Sequence, residues 1–260
     1  MIAHRLNPRT LCAVVIAAAL VAVAAGFLPG CGKKADNELV ILCGSSFVPP
    51  MEELRKQFTA ETGIAVVTTT AGSEDFLPLV NTGRKGDILI THHPYQDYVR
   101  DAGARADYVQ VGFVAPVLAV QKGNPKRLKS IADLGRPGLR VALSNPAYST
   151  CGDMVFKLLE KKGIKEAVMR NVENRLTKGH HNLGTLVQTQ AVDAVMMWNG
   201  VAHTFRKSLH VVPTPYEYDT EIGVYVIGLN YSKHPGYVKK FVEFARTKGK
   251  AIFARYGYTK

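Results

Sequence analysis

From Glu38 onward, compact apolar runs alternate with stretches whose apolar residues recur at three- and four-residue spacing. Leu39-Val40-Ile41-Leu42 is such a run, and Gly44-Ser45-Ser46 follows it, the form of a buried strand entering a turn. Pro49 and Pro50 suit the first turn of a helix, and Met51, Leu54 and Phe58 give that helix an apolar face that Gly63 ends. Ile64-Ala65-Val66-Val67-Thr68 reads as the next strand, closed by Ala71-Gly72-Ser73. A helix through Phe76, Leu77 and Val80 then leads to a third strand, Gly86-Asp87-Ile88-Leu89-Ile90-Thr91. The pattern returns in Leu139-Arg140-Val141-Ala142-Leu143, a strand, with Asn145-Pro146 as a turn and a helix from about Thr150 through Met154, Phe156, Leu158 and Leu159 to Gly163. Residues 183–190 read as a short helix and Ala194-Val195-Met196-Met197-Trp198 as a buried strand. Val114 to Val120 reads as one extended crossing, and residues 234–258 as one or two helices carrying Val238, Phe241, Val242, Ile252 and Phe253.

Alternating β and α units imply an α/β fold of parallel sheets with helices on both faces. Two such groups, joined near Val114 and again near Val211-Val212, imply two lobes. The expected division is lobe I from residues 38–115 and 216–260, and lobe II from 116–215, with a ligand cleft between them. Ligands in such folds bind at the carboxyl ends of strands, beside helix N-termini.

The N-terminal segment has a different pattern. Arg5 and Arg9 make a short basic start, no acidic residue precedes Asp36, and an apolar run extends from Leu11 to Leu28. This is the form of a secretory signal peptide over residues 1–30. Its end, Leu28-Pro29-Gly30-Cys31, resembles a bacterial lipobox. That resemblance implies that Cys31 is diacylated and that residues 31–37 are a lipidated tether, holding the domain on the outer side of a membrane. The alternative is one uncleaved membrane helix, since roughly eighteen apolar residues can just span a bilayer. Both place the domain outside the cytoplasm.

The formal charge of +12 falls to about +10 without Arg5 and Arg9, a surplus that favours anionic partners at long range. Nucleic acid is not among them, because the Lys and Arg residues are scattered and the chain is exported. Apart from Cys12 and Cys31, the thiols are Cys43 and Cys151, which in an oxidising compartment pair, bind something soft or sit buried.

The residues just after the strands carry the candidate chemistry: Cys43-Gly44-Ser45-Ser46, Ala71-Gly72-Ser73, Thr91-His92-His93, Tyr148-Ser149-Thr150-Cys151-Gly152, His180-His181-Asn182-Leu183 and Trp198-Asn199-Gly200. Small hydroxyl residues at helix starts offer O–H donors beside free backbone N–H groups, which suits an anion. Plain helix capping by Ser and Thr explains each of them singly.

Together they resemble the molybdate/tungstate-type periplasmic binding proteins of ABC importers. Residues 43–54 look like that family's first strand, turn and helix, with its oxyanion-donating serine at Ser46. Gly72-Ser73 followed by Gly86-Asp87-Ile88-Leu89-Ile90 resembles the second donor serine and the strand beyond it. Val141-Ala142-Leu143-Ser144-Asn145-Pro146, closing in Cys151-Gly152, is similar to the second-lobe strand and helix start, whose backbone donor falls on Cys151. Asn182-Leu183 resembles the segment giving another backbone donor, and Asp193 to Trp198 the strand that ends in a ligand-facing tyrosine, here Trp198. Tyr225-Val226-Ile227 through Gly257-Tyr258 resembles the returning strand and closing helices.

The resemblance implies a two-lobed periplasmic-binding-protein-like receptor, monomeric and without a cofactor. It would bind a small oxyanion through Ser46, Ser73, Cys151, Leu183 and Trp198, and deliver it to the permease subunits of an ABC importer. Cys43, His92, His93, His180, His181 and Cys151 depart from the family pattern and lie near the predicted site. Nitrogen and sulfur donors favour a transition metal over an oxyanion, so a metal solute stays open, as does a lipoprotein that uses the fold without transport. Catalysis has little support: there is no Gly-x-Ser-x-Gly elbow, P-loop or His-Glu-x-x-His. A Cys43–Cys151 disulfide would join opposite lobes and hold the cleft shut.

Overall fold

The computed structural model describes residues 38–259, so the signal peptide read at 1–30, Cys31 and its tether lie outside the described residues. The strands are β1 (Glu38–Gly44), β2 (Ala65–Ala71), β3 (Ile88–His92), β4 (Arg105–Val114), β5 (Pro116–Gln121), β6 (Val141–Ser144), β7 (Leu176–Thr177), β8 (Ala194–Trp198), β9 (Leu209–Val212) and β10 (Ile222–Leu229). The α-helices are α1 (Val48–Thr62), α2 (Leu77–Asn81), α3 (Tyr95–Asp101), α4 (Thr150–Lys161), α5 (Lys165–Val172), α6 (His180–Gln188), α7 (Asn199–Thr204) and α8 (Pro235–Arg255).

Two five-stranded sheets form, ordered β2-β1-β3-β10-β4 and β7-β6-β8-β5-β9. β1 runs parallel to β2 and β3, and β6 parallel to β7 and β8. The sheets are mixed, however, and the expectation of purely parallel sheets is corrected. β10 lies antiparallel between β3 and β4, and β5 antiparallel between β8 and β9. These two strands follow the crossings from one sheet to the other, and each enters its new sheet against the direction of its neighbours.

Composition explains which strands are central. β3, β6 and β8 are buried along their whole length, as strands covered on both faces must be. Thr-rich β2 is an edge, exposed along much of its length. α1 buries Pro50, Met51, Leu54 and Phe58 at helical spacing and stops at Gly63, whose φ of 69° is a left-handed cap that a side chain would strain. α8 is one continuous helix of 21 residues that packs Phe241 edge-on against Phe58, ring centroids 4.8 Å apart.

The extended apolar stretch from Val114 to Val120 divides between the two sheets. Val114 ends β4 in the first sheet and Pro116 begins β5 in the second. Ala115 between them is held by Asn199, whose side-chain oxygen accepts from the Ala115 N–H while its own N–H donates to the Ala115 carbonyl. The Asn199 amide also donates to the Phe113 and Thr259 carbonyls, which joins the crossing to the C-terminus. Among the described residues no helix is long and apolar enough to cross a membrane.

Candidate functional site

The carboxyl ends of the inner strands of both sheets meet around a cavity of about 40 Å³. By the room a single water needs, it accommodates roughly three water-sized groups. Beyond β1 the chain makes a 3-10 turn, Ser45–Phe47, before α1, and beyond β2 a second such turn, Glu74–Phe76, before α2. These turns place Ser46, Phe47, Ser73 and Glu74 in the wall, β3 adds His92, and Tyr95 stands at the start of α3. The second sheet contributes Tyr148, Ser149 and Thr150 ahead of α4, Lys178, Gly179 and His180 at the head of α6, and Trp198 at the end of β8.

The serines divide into two kinds. Ser149 is a true N-cap, its oxygen accepting from the Gly152 N–H at 3.2 Å. Ser73 heads its turn without a capping bond from its side chain, and Ser46 lies inside its turn, not at a cap position. Both are nearly buried in the cavity wall. Gly44 makes this closeness possible, since a β-carbon there would stand 2.9 Å from Ser73 Oγ and 3.0 Å from the Phe47 ring. Tyr258, near the C-terminus, donates from its phenol to the Ser46 carbonyl and holds that turn. Nothing local in the sequence marks this role, because its partner is 212 residues away.

Opposite the serines, α4 begins at Thr150, so the N–H groups of Thr150 and Cys151 fall in its first turn and have no partner within the helix. The Cys151 side chain is buried, while Thr150 lines the cavity. α6 starts at His180, three residues ahead of the expected position, with Gly179 as its N-cap. Leu183 is therefore the fourth residue of that helix. Its side chain is buried and does not line the cavity.

Of the histidines, His92 and His180 come together across Trp198. The His92 ring stands edge-on to the indole with centroids 5.6 Å apart, and the His180 ring tilts over it at 5.5 Å. His92 Nδ1 donates to the His93 carbonyl at 2.7 Å. His180 sits between the hydroxyls of Ser144 and Ser149, at 3.3 and 3.4 Å. Burial pushes the His92 imidazole down to about 4. It pushes His180 down to about 3, with the neighbouring His92 and His181 adding to the shift. Both rings are neutral at pH 7. His93 lies elsewhere, 3.3 Å from the Asp97 carboxylate, and His181 packs against Phe205.

Cys43 and Cys151 are both free and fully buried. Burial raises both thiols far above the range in which a thiolate ligand forms readily. Among the described residues no group of three or more His, Cys, Asp or Glu side chains is placed to hold a metal ion. Of the six residues set apart in the sequence as a possible metal cluster, His92 and His180 share the Trp198 indole, while His93 and His181 pack elsewhere.

Contacts between the two halves close the rim. Lys178 pairs with Asp75 at 3.1 Å, and Tyr95 and Thr150 line the same space. Glu74, half-buried in the wall, has its carboxyl raised chiefly by burial. The cavity thus offers neutral donors, aromatic faces and the Glu74 carboxyl, and Lys178 at its rim is engaged.

Gly152 fixes the start of α4 against β6. A β-carbon there would stand 2.5 Å from the Ser144 carbonyl oxygen and 3.0 Å from the Asn145 carbonyl carbon, both backbone atoms. Gly152→Ala is expected to lower stability by about 1–3 kcal/mol, as overpacking does where the neighbour cannot turn aside. Urea unfolding with a wild-type midpoint would show that the helix start has room to move.

Residues 39–259 match the family described as bacterial extracellular solute-binding protein. The molybdate-binding protein ModA of Mycobacterium tuberculosis (strain ATCC 25618 / H37Rv) is 25% identical over 235 residues, covering 86% of this chain and 85% of that protein. Among solved structures, the sulfate-binding protein SubI from Mycobacterium tuberculosis H37Rv superposes with a TM-score of 0.70 at 17% identity, over 85% of this chain and 86% of that one. The periplasmic molybdate-binding protein of Azotobacter vinelandii gives 0.69 at 16% identity, over 85% and 98%. At such identities the structural likeness establishes the two-lobed fold.

Proposed function

Because the chain belongs to the family of bacterial extracellular solute-binding proteins, receptors and not enzymes, we propose that it captures an oxyanion of the molybdate/tungstate type in the cavity between its lobes. One observation carries this reading. Two serine hydroxyls without a capping role line a small cavity that the start of α4 also lines. Hydroxyls and first-turn N–H groups donate to an anion without requiring a counter-charge, and such charge-assisted bonds are about twice as strong as neutral ones. Neutral His92 and His180 and the indole of Trp198 would shape the wall. The relatives named molybdate-binding and sulfate-binding support the same solute class.

In this reading lobe I comprises residues 38–115 and 216–260, lobe II residues 116–215, and the crossings at Ala115 and beyond β9 are the hinge. A solute touching both lobes favours the closed form by its differential affinity, and that form is what the permease subunits of an ABC importer would engage. At a concentration of 100 times Kd, a solute adds about 2.7 kcal/mol. For a domain of this size that raises Tm by roughly 5–10 °C. Thermal unfolding with molybdate, tungstate and sulfate tests the reading. No shift with any of them would favour a lipoprotein that uses the fold without carrying a solute.

Leu28-Pro29-Gly30-Cys31 supports attachment through a diacylated Cys31. Cys31→Ser is expected to move the protein from the membrane fraction to the soluble fraction, or to leave uncleaved precursor. Membrane association unchanged, with the apolar segment still attached, would favour an uncleaved anchor helix.

A further inference from the structure

The small cavity does not end at its own walls. A second cavity of about 390 Å³ adjoins it, and Glu74, Tyr95, Tyr148, Ser149 and Thr150 line both. We propose that the solute is an oxyanion bearing an organic substituent (a phosphonate, phosphate ester or sulfonate), its anionic head in the small cavity and its substituent in the large one. This rests on the oxyanion reading above and narrows the solute from the bare inorganic ion.

Size is the first argument. A volume of about 390 Å³ lies within the usual range for small-molecule sites, about 300–1,000 Å³, and exceeds what four oxygens around one centre require. The second is the lining. Tyr95, Tyr98, Tyr148 and Tyr218 present rings to the cavity, with Met154 and Leu158 between them. Tyr98 and Tyr148 remain about half exposed, at 48% and 55%, so a ligand has aromatic area left to cover.

The third argument is charge. The cations at the rim already have partners, Lys157 with Asp153 at 2.8 Å and Lys161 with Asp219 at 3.1 Å. The larger cavity therefore does not call for a second anion and fits a neutral or weakly polar group. At the junction, Glu74 faces both spaces. A carboxylate there can accept from a hydroxyl or ammonium carried next to the head group. A solute consisting only of a metal oxyanion would leave this half of the site unused.

Calorimetry with phenylphosphonate, phenyl phosphate and benzenesulfonate, set beside phosphate, sulfate and molybdate, tests the proposal. At least one substituted anion is expected to bind ten times or more tighter than its bare counterpart. Tyr98→Ala, which lines only the larger of the two cavities, should remove that advantage and leave bare-anion affinity unchanged. Bare anions binding as tightly as every substituted one, in a manner that depends on Ser46 and Ser73, would overturn this inference and leave the oxyanion reading standing. Binding of none of the six would overturn both.

Discussion

Between pH 6.5 and pH 4.5 the protein is expected to lose about 5 kcal/mol of stability through two histidines alone. The unfolded chain takes up a proton on each imidazole as the pH falls through the ordinary value near 6.5. The folded chain does not follow until about 4 at His92 and about 3 at His180. Both folded values lie below the unfolded one, so the stability is fully present above pH 6.5 and is lost as the pH falls toward the folded values. Each pH unit in that window costs about 1.4 kcal/mol per ring. The His93 carbonyl, which accepts from His92, opposes the shift there, and burial outweighs it. His92 faces the Phe47, Tyr95 and Trp198 rings and the His93 carbonyl, and His180 faces Trp198 and two serine hydroxyls. Against a total typically of 5–15 kcal/mol, the loss is large. Urea unfolding at pH 7 and 4.5 should show it in the wild type, and His92→Gln and His180→Gln should each remove about half. Equal losses in all three proteins would place the acid sensitivity elsewhere.

Ser46→Ala and Ser73→Ala are each expected to weaken oxyanion binding by about 1.5–3 kcal/mol, roughly ten- to a hundredfold. A hydroxyl that caps a helix affects stability when removed. One that donates to a solute affects affinity, and these two have no capping bond to lose. The double variant should fall short of the sum, because both hydroxyls would serve one anion. Ser149→Ala is the contrasting control, since its oxygen caps α4 through Gly152 and should mainly lower stability, by about 1 kcal/mol. Calorimetry with molybdate or sulfate, read beside urea unfolding, separates the two roles. Wild-type affinity in both Ser46→Ala and Ser73→Ala would remove the serines from the site.

Much of the frame was legible along the chain because its signals are local. β1, β3, β6 and β8 are short apolar runs ended by turn residues, and α1 carries its own apolar stripe and stop at Gly63. Two sheets and a crossing near Val114 follow from the order of such units. The elements that escaped this reading have weaker signals. α3 and α5 are only seven and eight residues long, and the outer half of β4 is exposed. The start of α6 was misplaced because Gly179 is a cap without a side chain and the histidines after it carry no periodic signal.

The candidate site shows the same division more sharply. Position after a strand singled out Ser46, Ser73, His92, His180 and Trp198, and the fold gathers them around one cavity because the strands of each sheet end together at the edge that faces it. Sequence distance could not reveal that Tyr258 holds the Ser46 turn, that Tyr95 meets Thr150, or that Lys178 pairs with Asp75 across 103 residues. Nor could it separate histidines that share a pair: His92 and His180 are buried on the indole, whereas His93 and His181 face other surroundings. Adjacent residues leave a strand or enter a helix pointing in different directions, and only packing decides which meets the cavity. The sequence by itself determined where chain elements begin and which residue types stand at their ends. Tertiary structure alone decided which of those ends share a space, because burial, the neutrality of an imidazole and the reach of a hydroxyl depend on neighbours supplied from far along the chain.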